Sequence, residues 1–283
     1  MTDQPEPPVL TEEPSVPPPT QEEAKEDVEP PPLPQQPEQQ FQHIFVVRHG
    51  HRSDDDPTWA EEILRPWDPE LTKQGHDCAF KTGQDIKILC ESLNITINQI
   101  ISSPFLRCLQ TASNLAKGIE YSGLIHLDHG VGELMNPHVM KIDKLTEIQQ
   151  TRLNETGLCI DQKQIQTLFP SQFSSDDSPV PLASLEAGES RTSNGSGYAR
   201  FRSSIDRIGL NTCDQNIIIC THGDGVAAAI SKVLPSAMVY AAEYCSFAHL
   251  VRESSSSKTS NNLDWQLKQV YIYIYIYYNN LSI

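Results

Sequence analysis

Phe41-Gln42-His43-Ile44-Phe45-Val46-Val47-Arg48-His49-Gly50-His51-Arg52 is a short apolar run that stops abruptly at arginine, histidine, glycine and a second arginine. Ile44 to Val47 are β-branched or aromatic, and a run of this length suits a strand covered on both faces. Gly50 lets the backbone turn closely at its end. Open parallel sheets bind ligands at the carboxyl ends of their strands, so the polar cluster stands where a site belongs. Guanidinium forks match phosphate oxygens, and a neutral imidazole between two of them is a nucleophile. Arg-His-Gly alone is equally consistent with a solvated basic turn, so the remainder of the chain has to decide.

The pattern returns. Asn216-Ile217-Ile218-Ile219-Cys220-Thr221-His222-Gly223 is again an apolar strand running into histidine and glycine, followed by the alanine-rich start of a helix. Between the two, Ile95 to Ser102 is another β-rich run, and helix-start signals follow it. Ser103 can cap, Pro104 suits the first helical position, and Lys117-Gly118 closes the segment. Arg107 therefore falls in a first helical turn just past a strand end, where amide groups and an arginine together hold an anion. Gly123 to Leu127 is a third strand candidate, and Gly130-Val131-Gly132-Glu133-Leu134 follows as a turn whose carboxylate could hold a proton over a substrate. Taken singly, Glu133 reads as a solvated loop acid, Arg107 as a surface arginine and His222 as a turn residue. Two strand-terminal His-Gly pairs together with a strand-terminal arginine are more than a basic turn explains.

Leu71 to Leu93 has helical spacing, with Thr72 or Asp68 as cap and Ala79, Ile86 and Cys90 near one face. The segment before it, Arg65-Pro66-Trp67-Asp68-Pro69, is expected to loop over the site, because prolines at 57, 66 and 69 forbid a long helix. Residues 136–196 are polar and read as an irregular insertion or lid with one helix near Lys144 to Leu153. Tyr198 to Leu210 restores helical periodicity.

With 283 residues and 38% hydrophobic side chains, the chain supports one folded domain. Its net charge is −16, and the first 40 residues hold ten acidic side chains against one lysine, which leaves −9 there and −7 elsewhere. That balance argues against nonspecific binding to nucleic acid or to an anionic membrane. The same 40 residues carry 12 of the 21 prolines, and such a composition cannot bury enough surface to offset the entropy of ordering. A disordered tail is expected. Pro31-Pro32-Leu33-Pro34 and the Pro14 to Pro19 stretch could dock in a proline-motif-binding domain, although a solubilising spacer is the simpler role. Seven cysteines are scattered singly without a C-x-x-C, no apolar signal segment opens the sequence, and no run is long enough to span a membrane. A reduced, cytoplasmic protein without a zinc cage is the expectation.

The folded domain is expected over 41–270, with 271–283 as a separate tail. Tyr271-Ile272-Tyr273-Ile274-Tyr275-Ile276-Tyr277 is what a repeated TA dinucleotide encodes, which suggests read-through into noncoding repeat DNA. The alternative is a genuine strand with one tyrosine face and one isoleucine face, an aggregation-prone edge.

Arg48-His49-Gly50-x-Arg52, then Ser102-Ser103-Pro104-x-x-Arg107-x-x-Gln110-Thr111-Ala112, then Glu133, then Thr221-His222-Gly223, resemble in order and placement the histidine phosphatase superfamily, also called phosphoglycerate mutase-like. The likeness spans roughly 42 to 251. Arg65-Pro66-Trp67-Asp68-Pro69 and the Pro104 to Ala112 stretch look like the eukaryotic phosphatase-type members, including the suppressors of T-cell receptor signalling and their plant relatives. The resemblance implies an α/β fold, a three-layer α/β/α sandwich on a mostly parallel sheet. It implies His49 as phosphoryl acceptor, with Arg48, Arg52 and Arg107 binding phosphate and His222 beside its equatorial oxygens. Glu133 would protonate the departing alkoxide and then activate water, with no metal and no cofactor. The implied activity is hydrolysis of a phosphate ester on a small molecule or a phosphoprotein. A mutase-type phosphotransferase and an inactive phospho-ligand binder with a proline-rich scaffold tail remain as alternatives. His51 departs from the Glu or small polar residue usual in relatives. The Glu-Ser continuation of the glycolytic mutases is missing, and His222 is not followed directly by aspartate as in the acid phosphatase branch.

Overall fold

The computed structural model describes residues 41–55, 65–174, 188–190, 192, 195–213, 215–254, 264–271 and 274–278. The proline-rich tail expected to be disordered, its docking motifs included, lies outside the described residues. The opening apolar run is strand β1 (Phe41–Arg48), and its two-residue alternation sets the layers. Phe45 and Val47 face one side, packed with Ile86 of α1 (Lys73–Ser92) and Cys108, Leu109 and Leu115 of α2 (Leu106–Gly118). Ile44 and Val46 face the other, packed with Ile205 and Ile208 of a helix at Ser196–Asn211 and Val226 and Ile230 of one at Gly223–Val233. Each fully buried Ile or Phe of this kind stabilises by roughly 1.5–3 kcal/mol. The sheet therefore lies between two helical layers, as the α/β/α expectation requires.

Strand β2 (Ile97–Ser102) precedes α2, and β3 (Ile125–Leu127), α3 (Glu147–Thr156) and α4 (Gln162–Leu168) lie between α2 and those later helices. The helix at Ser196–Asn211 is α5, followed by β4 (Asn216–Thr221), α6 (Gly223–Val233), β5 (Ala237–Ala242), β6 (Phe247–Glu253), β7 (Gln266–Tyr271) and β8 (Ile274–Tyr278). The six-stranded sheet runs β3-β2-β4-β1-β6-β7. Its first four strands are parallel, while β6 and β7 are antiparallel to their neighbours. Among the described residues no helix is long and apolar enough to cross a membrane.

Helix ends explain two local departures. Thr72 caps α1 by accepting the Gly75 amide at 3.0 Å, as its position suggests. The sequence reading places the α2 cap at Ser103, but the helix begins at Leu106, and Phe105 in the cap position has no oxygen to offer. Asp68, from 38 residues upstream, supplies it: its Oδ1 accepts the Leu106 amide at 2.8 Å. The helix expected near 144–153 starts at Glu147 under a Thr146–Gln149 capping box, and α4 adds a second helix to the insertion. Residues 175–187 of that insertion lie outside the described residues. The boundary expected at 270 falls one residue inside β7, and the Tyr/Ile segment beyond it supplies β8, which pairs antiparallel with β5.

Candidate active site

Strands β1 and β4 are adjacent and parallel, with Arg48 level with Thr221. The next residue of each, His49 and His222, therefore emerges at the same height, and the two rings lie 5.3 Å apart between centroids. His49 is 1% exposed, and its Nδ1 lies 2.9 Å from the Gly50 carbonyl. A carbonyl only accepts, so Nδ1 carries the proton and Nε2 keeps a lone pair. Burial first, and then the positive charge of Arg107, His222, Arg48 and Arg52, hold this imidazole well below its ordinary pKa. The Gly50 amide donates to Thr111 Oγ1 at 3.0 Å, which donates on to the Arg107 carbonyl, so the turn is moored to α2. A Cβ at Gly50 would stand 2.6 Å from the Gly75 carbonyl oxygen, which only glycine avoids.

Glu133 joins the other two predicted groups. Its Oε2 is 2.9 Å from Arg107 Nη2 and 3.0 Å from His222 Nδ1, while its Oε1 accepts the Leu134 amide. His222 Nε2 meets Ser103 Oγ at 2.8 Å, so the serine read as a helix cap instead orients the second histidine. Burial alone would raise the Glu133 carboxyl, but His222 and Arg107 hold it well below the usual carboxylate range. Burial likewise pulls His222 down, but the Cys108 sulfur and the Glu133 carboxylate more than offset it and its pKa is raised. The pair thus shares one proton, held on the imidazole side.

Arg48 stacks its guanidinium 4.0 Å above the Tyr244 ring and donates from Nη1 to the Ala242 carbonyl. Arg52 reaches the same cleft but is anchored by Asp54, with Nε 2.9 Å from Oδ1 and Nη2 3.1 Å from Oδ2. Asp54 also takes Lys141, and Asp55 accepts the Tyr244 hydroxyl at 2.6 Å. His51 turns aside, its ring 4.9 Å from Tyr244 and its Nδ1 3.8 Å from Asp55. Among the described residues, Nε of Arg48 and both Nε and Nη1 of Arg107 are buried without a hydrogen-bond partner. Buried donors left so cost about 1–3 kcal/mol each unless a ligand accepts from them, which is what phosphate oxygens do.

One ligand atom from each of His49, Glu133 and His222 lies within 4.8 Å of the others, a spacing that a metal ion could bridge. The donor set suits a cation poorly. Glu133 Oε2 is already shared by Arg107 and His222, and three guanidinium groups surround the cluster. The arrangement is built for an anion.

Three contributors escape the sequence reading. Asp68, 3% exposed, caps α2 and stands 3.5 Å from Arg107 Nη1, with Arg65 on its other oxygen. Burial raises its pKa against the opposing pull of Arg107 and Arg65. Tyr244 precedes β6 with no local motif to mark it. Arg200 of α5 donates to the carbonyls of Gly130, Gly132 and Glu133 at 2.8, 3.2 and 3.0 Å, and forks onto Glu189 at 2.7 Å through two nitrogens. The turn that carries Glu133 is therefore pinned. Only the helical periodicity of α5 hinted at an inward-facing side chain there.

Arg48, His49, Arg52 and Glu133 open into a cleft of about 820 Å³, with Arg107 and His222 behind Glu133. A family model described as histidine phosphatase superfamily (branch 1) matches residues 44–255. Phosphoglycerate mutase from Bacillus anthracis str. Sterne is similar in structure at 18% identity, covering 82% of this chain and 93% of that one with a TM-score of 0.51. Mycobacterial glucosyl-3-phosphoglycerate phosphatase is similar at 15% identity, 81% and 98% coverage and a TM-score of 0.47. The ecdysone phosphate phosphatase of Bombix mori is similar at 17% identity, 81% and 92% coverage and a TM-score of 0.46. No curated protein matches in sequence.

Proposed function

The chain belongs to the histidine phosphatase superfamily, branch 1, and on that premise we propose that it hydrolyses phosphomonoesters through a phosphohistidine at His49. The observation that carries this reading is the Gly50 carbonyl on His49 Nδ1, which leaves a neutral Nε2 lone pair among Arg48, Arg52 and Arg107. In the first step Nε2 bonds to phosphorus as the ester P–O bond breaks, and the leaving oxygen takes the proton shared by His222 and Glu133. In the second, that pair takes a proton from water, whose oxygen displaces His49 and releases inorganic phosphate. Arg48, Arg52 and Arg107 supply fixed positive charge to the equatorial oxygens, where a loose transition state spreads its charge. These groups do without a metal, so excess chelator should leave turnover unchanged.

Rapid quench of the enzyme with a ³²P-labelled aryl phosphate tests the reading. An acid-labile, base-stable protein label that His49→Ala abolishes together with turnover is expected. Steady hydrolysis by the His49→Ala protein would overturn it.

A further inference from the structure

All the cysteines are free, and two of them meet behind the turn that carries His49. Cys78 of α1 is part-exposed, and Cys245, in the turn between β5 and β6, is fully buried. The Cys245 thiol donates a hydrogen bond to the Cys78 sulfur. Thr82, one helical turn after Cys78 on the same face of α1, donates from Oγ1 to the Cys245 carbonyl at 3.4 Å and so holds the two cysteines against each other. The bond from Cys245 brings the Cys78 thiol down to about 7 against the opposing pull of burial, with Thr82 assisting, and the same bond pushes Cys245 up. Cys78 is therefore substantially thiolate near neutral pH, which is the nucleophilic form. An accessible thiolate with a protonated thiol beside it is the arrangement of a reversible peroxide sensor.

Cys245 also belongs to the frame of the site. Its amide donates to the His49 carbonyl at 3.2 Å, and the Ser246 carbonyl accepts the Arg48 amide at 2.9 Å. Tyr244, the residue before it, carries the Arg48 guanidinium on its ring and reaches Asp55 with its hydroxyl. The turn closes through the Ser246 amide on the Glu243 carbonyl at 3.0 Å, with Cys245 at φ 60, a left-handed backbone that leaves a residue with a side chain little room to adjust. Bonded sulfurs lie about 2.05 Å apart, closer than any hydrogen-bonded pair, so a disulfide has to draw Cys245 toward α1 and carry Tyr244, and Arg48 with it, out of place.

We propose that Cys78 and Cys245 are a modification site at which a peroxide forms a disulfide, and that this disulfide weakens anion binding at Arg48. The Cys78 thiolate attacks one peroxide oxygen, the O–O bond breaks, and the released hydroxide takes a proton and leaves as water, so that peroxide is reduced and the sulfur becomes a sulfenic acid. The Cys245 sulfur then bonds to the Cys78 sulfur as the S–O bond breaks, and its proton leaves with the hydroxyl as a second water. A dithiol reductant reverses the change. The effect on turnover rests on the phosphomonoesterase reading above, whereas the bond itself does not.

In the test, full-length protein is treated with hydrogen peroxide, desalted, alkylated and digested, and tungstate affinity and kcat/KM for 4-nitrophenyl phosphate are measured before and after oxidation. Mass spectrometry should find the Cys78 and Cys245 peptides linked, with tungstate affinity and kcat/KM both lower by roughly tenfold or more, the scale on which small misplacements act, and both restored by dithiothreitol. Cys78→Ser should keep its starting activity and lose the response to peroxide. Oxidation that leaves Cys78 and Cys245 unlinked, a linked pair with unchanged tungstate affinity, or an equal loss of affinity in Cys78→Ser would overturn the proposal. Absence of turnover by the reduced protein on every ester would instead overturn the phosphatase reading, and the linked peptides and the tungstate affinity would still decide this one.

Discussion

His222 Nδ1 lies 3.0 Å from Glu133 Oε2, so the candidate proton donor and the second strand-terminal histidine form one buried acid pair. Its counterpart, His49, is held neutral 5.3 Å away. Under the proposed chemistry, the opposite shifts of the two imidazoles predict a bell-shaped kcat/KM. As pH falls through the depressed value of His49 the nucleophile protonates, so the acid limb lies well below 6.5. As pH rises through the raised value of His222 the leaving-group proton is lost, so the alkaline limb lies above 6.5. Glu133→Gln removes the carboxylate that raises His222 and should move the alkaline limb toward lower pH. It should also slow alkyl esters by roughly 10²–10⁴ while affecting 4-nitrophenyl phosphate, whose leaving group needs no proton, much less. An unchanged alkaline limb in this variant would contradict the pairing.

Asp68 does two jobs at one place, accepting the Leu106 amide and facing Arg107. Asp68→Ala should therefore cost about 1–2 kcal/mol, the usual scale of a lost helix cap, seen as a lower Tm or denaturant midpoint. Asp68→Asn keeps an acceptor for the amide and should recover most of that stability. Equal losses in the two variants would show that the charge, and not the cap, dominates.

Arg200 never touches the cleft, yet it holds three carbonyls of the Glu133 turn. Arg200→Ala should lower kcat on the order of 10²-fold by letting Glu133 drift, with KM for small aryl phosphates little changed. Arg200→Lys should not rescue it, because an ammonium cannot reproduce the fork. A KM effect without a kcat effect would place Arg200 in substrate binding instead.

The α1–α2 contact inverts an ordinary rule. Gly→Ala inside a helix normally stabilises by about 1 kcal/mol, but a Cβ on Gly83 would meet the Leu115 carbonyl oxygen at 2.6 Å, and one on Gly118 would strike the Phe80 carbonyl. Backbone cannot step aside as a side chain does, so Gly83→Ala and Gly118→Ala should each destabilise by roughly 1–3 kcal/mol. Thermal denaturation decides the sign.

Much of the architecture was legible because it is local. The Ile44 to Val47 and Ile217 to Cys220 runs announce buried strands, and the polar residues that end them announce a site. Arg107 is in the first turn of α2 as expected, and Glu133 and His222 meet beside it. What stayed hidden depends on long-range partners. Asp68 and Arg200 act across 38 and 67 or more residues of sequence, and no spacing rule reports an acceptor that far away. Ser103 was misread for a related reason, since a serine before a helix serves the nearest donor, and folding brings His222 to it. Arg52 illustrates a third cause: its neighbours Asp54 and Asp55 are visible in the sequence, but only the fold shows them holding the guanidinium.

The level alignment of Arg48 with Thr221 also governs which changes of length the gene can survive. Side chains alternate across a strand, so adding or removing a single residue within β1 or β4 would turn every side chain beyond it to the opposite face and separate His49 from His222 at once. No substitution elsewhere could restore the match. Insertions between α4 and α5 leave both that alignment and the Glu133 turn untouched, so length variation should accumulate there and be absent from the two strands. A library of single-codon insertions, scored for hydrolysis, would show the two aligned strands as silent and the stretch between α4 and α5 as permissive.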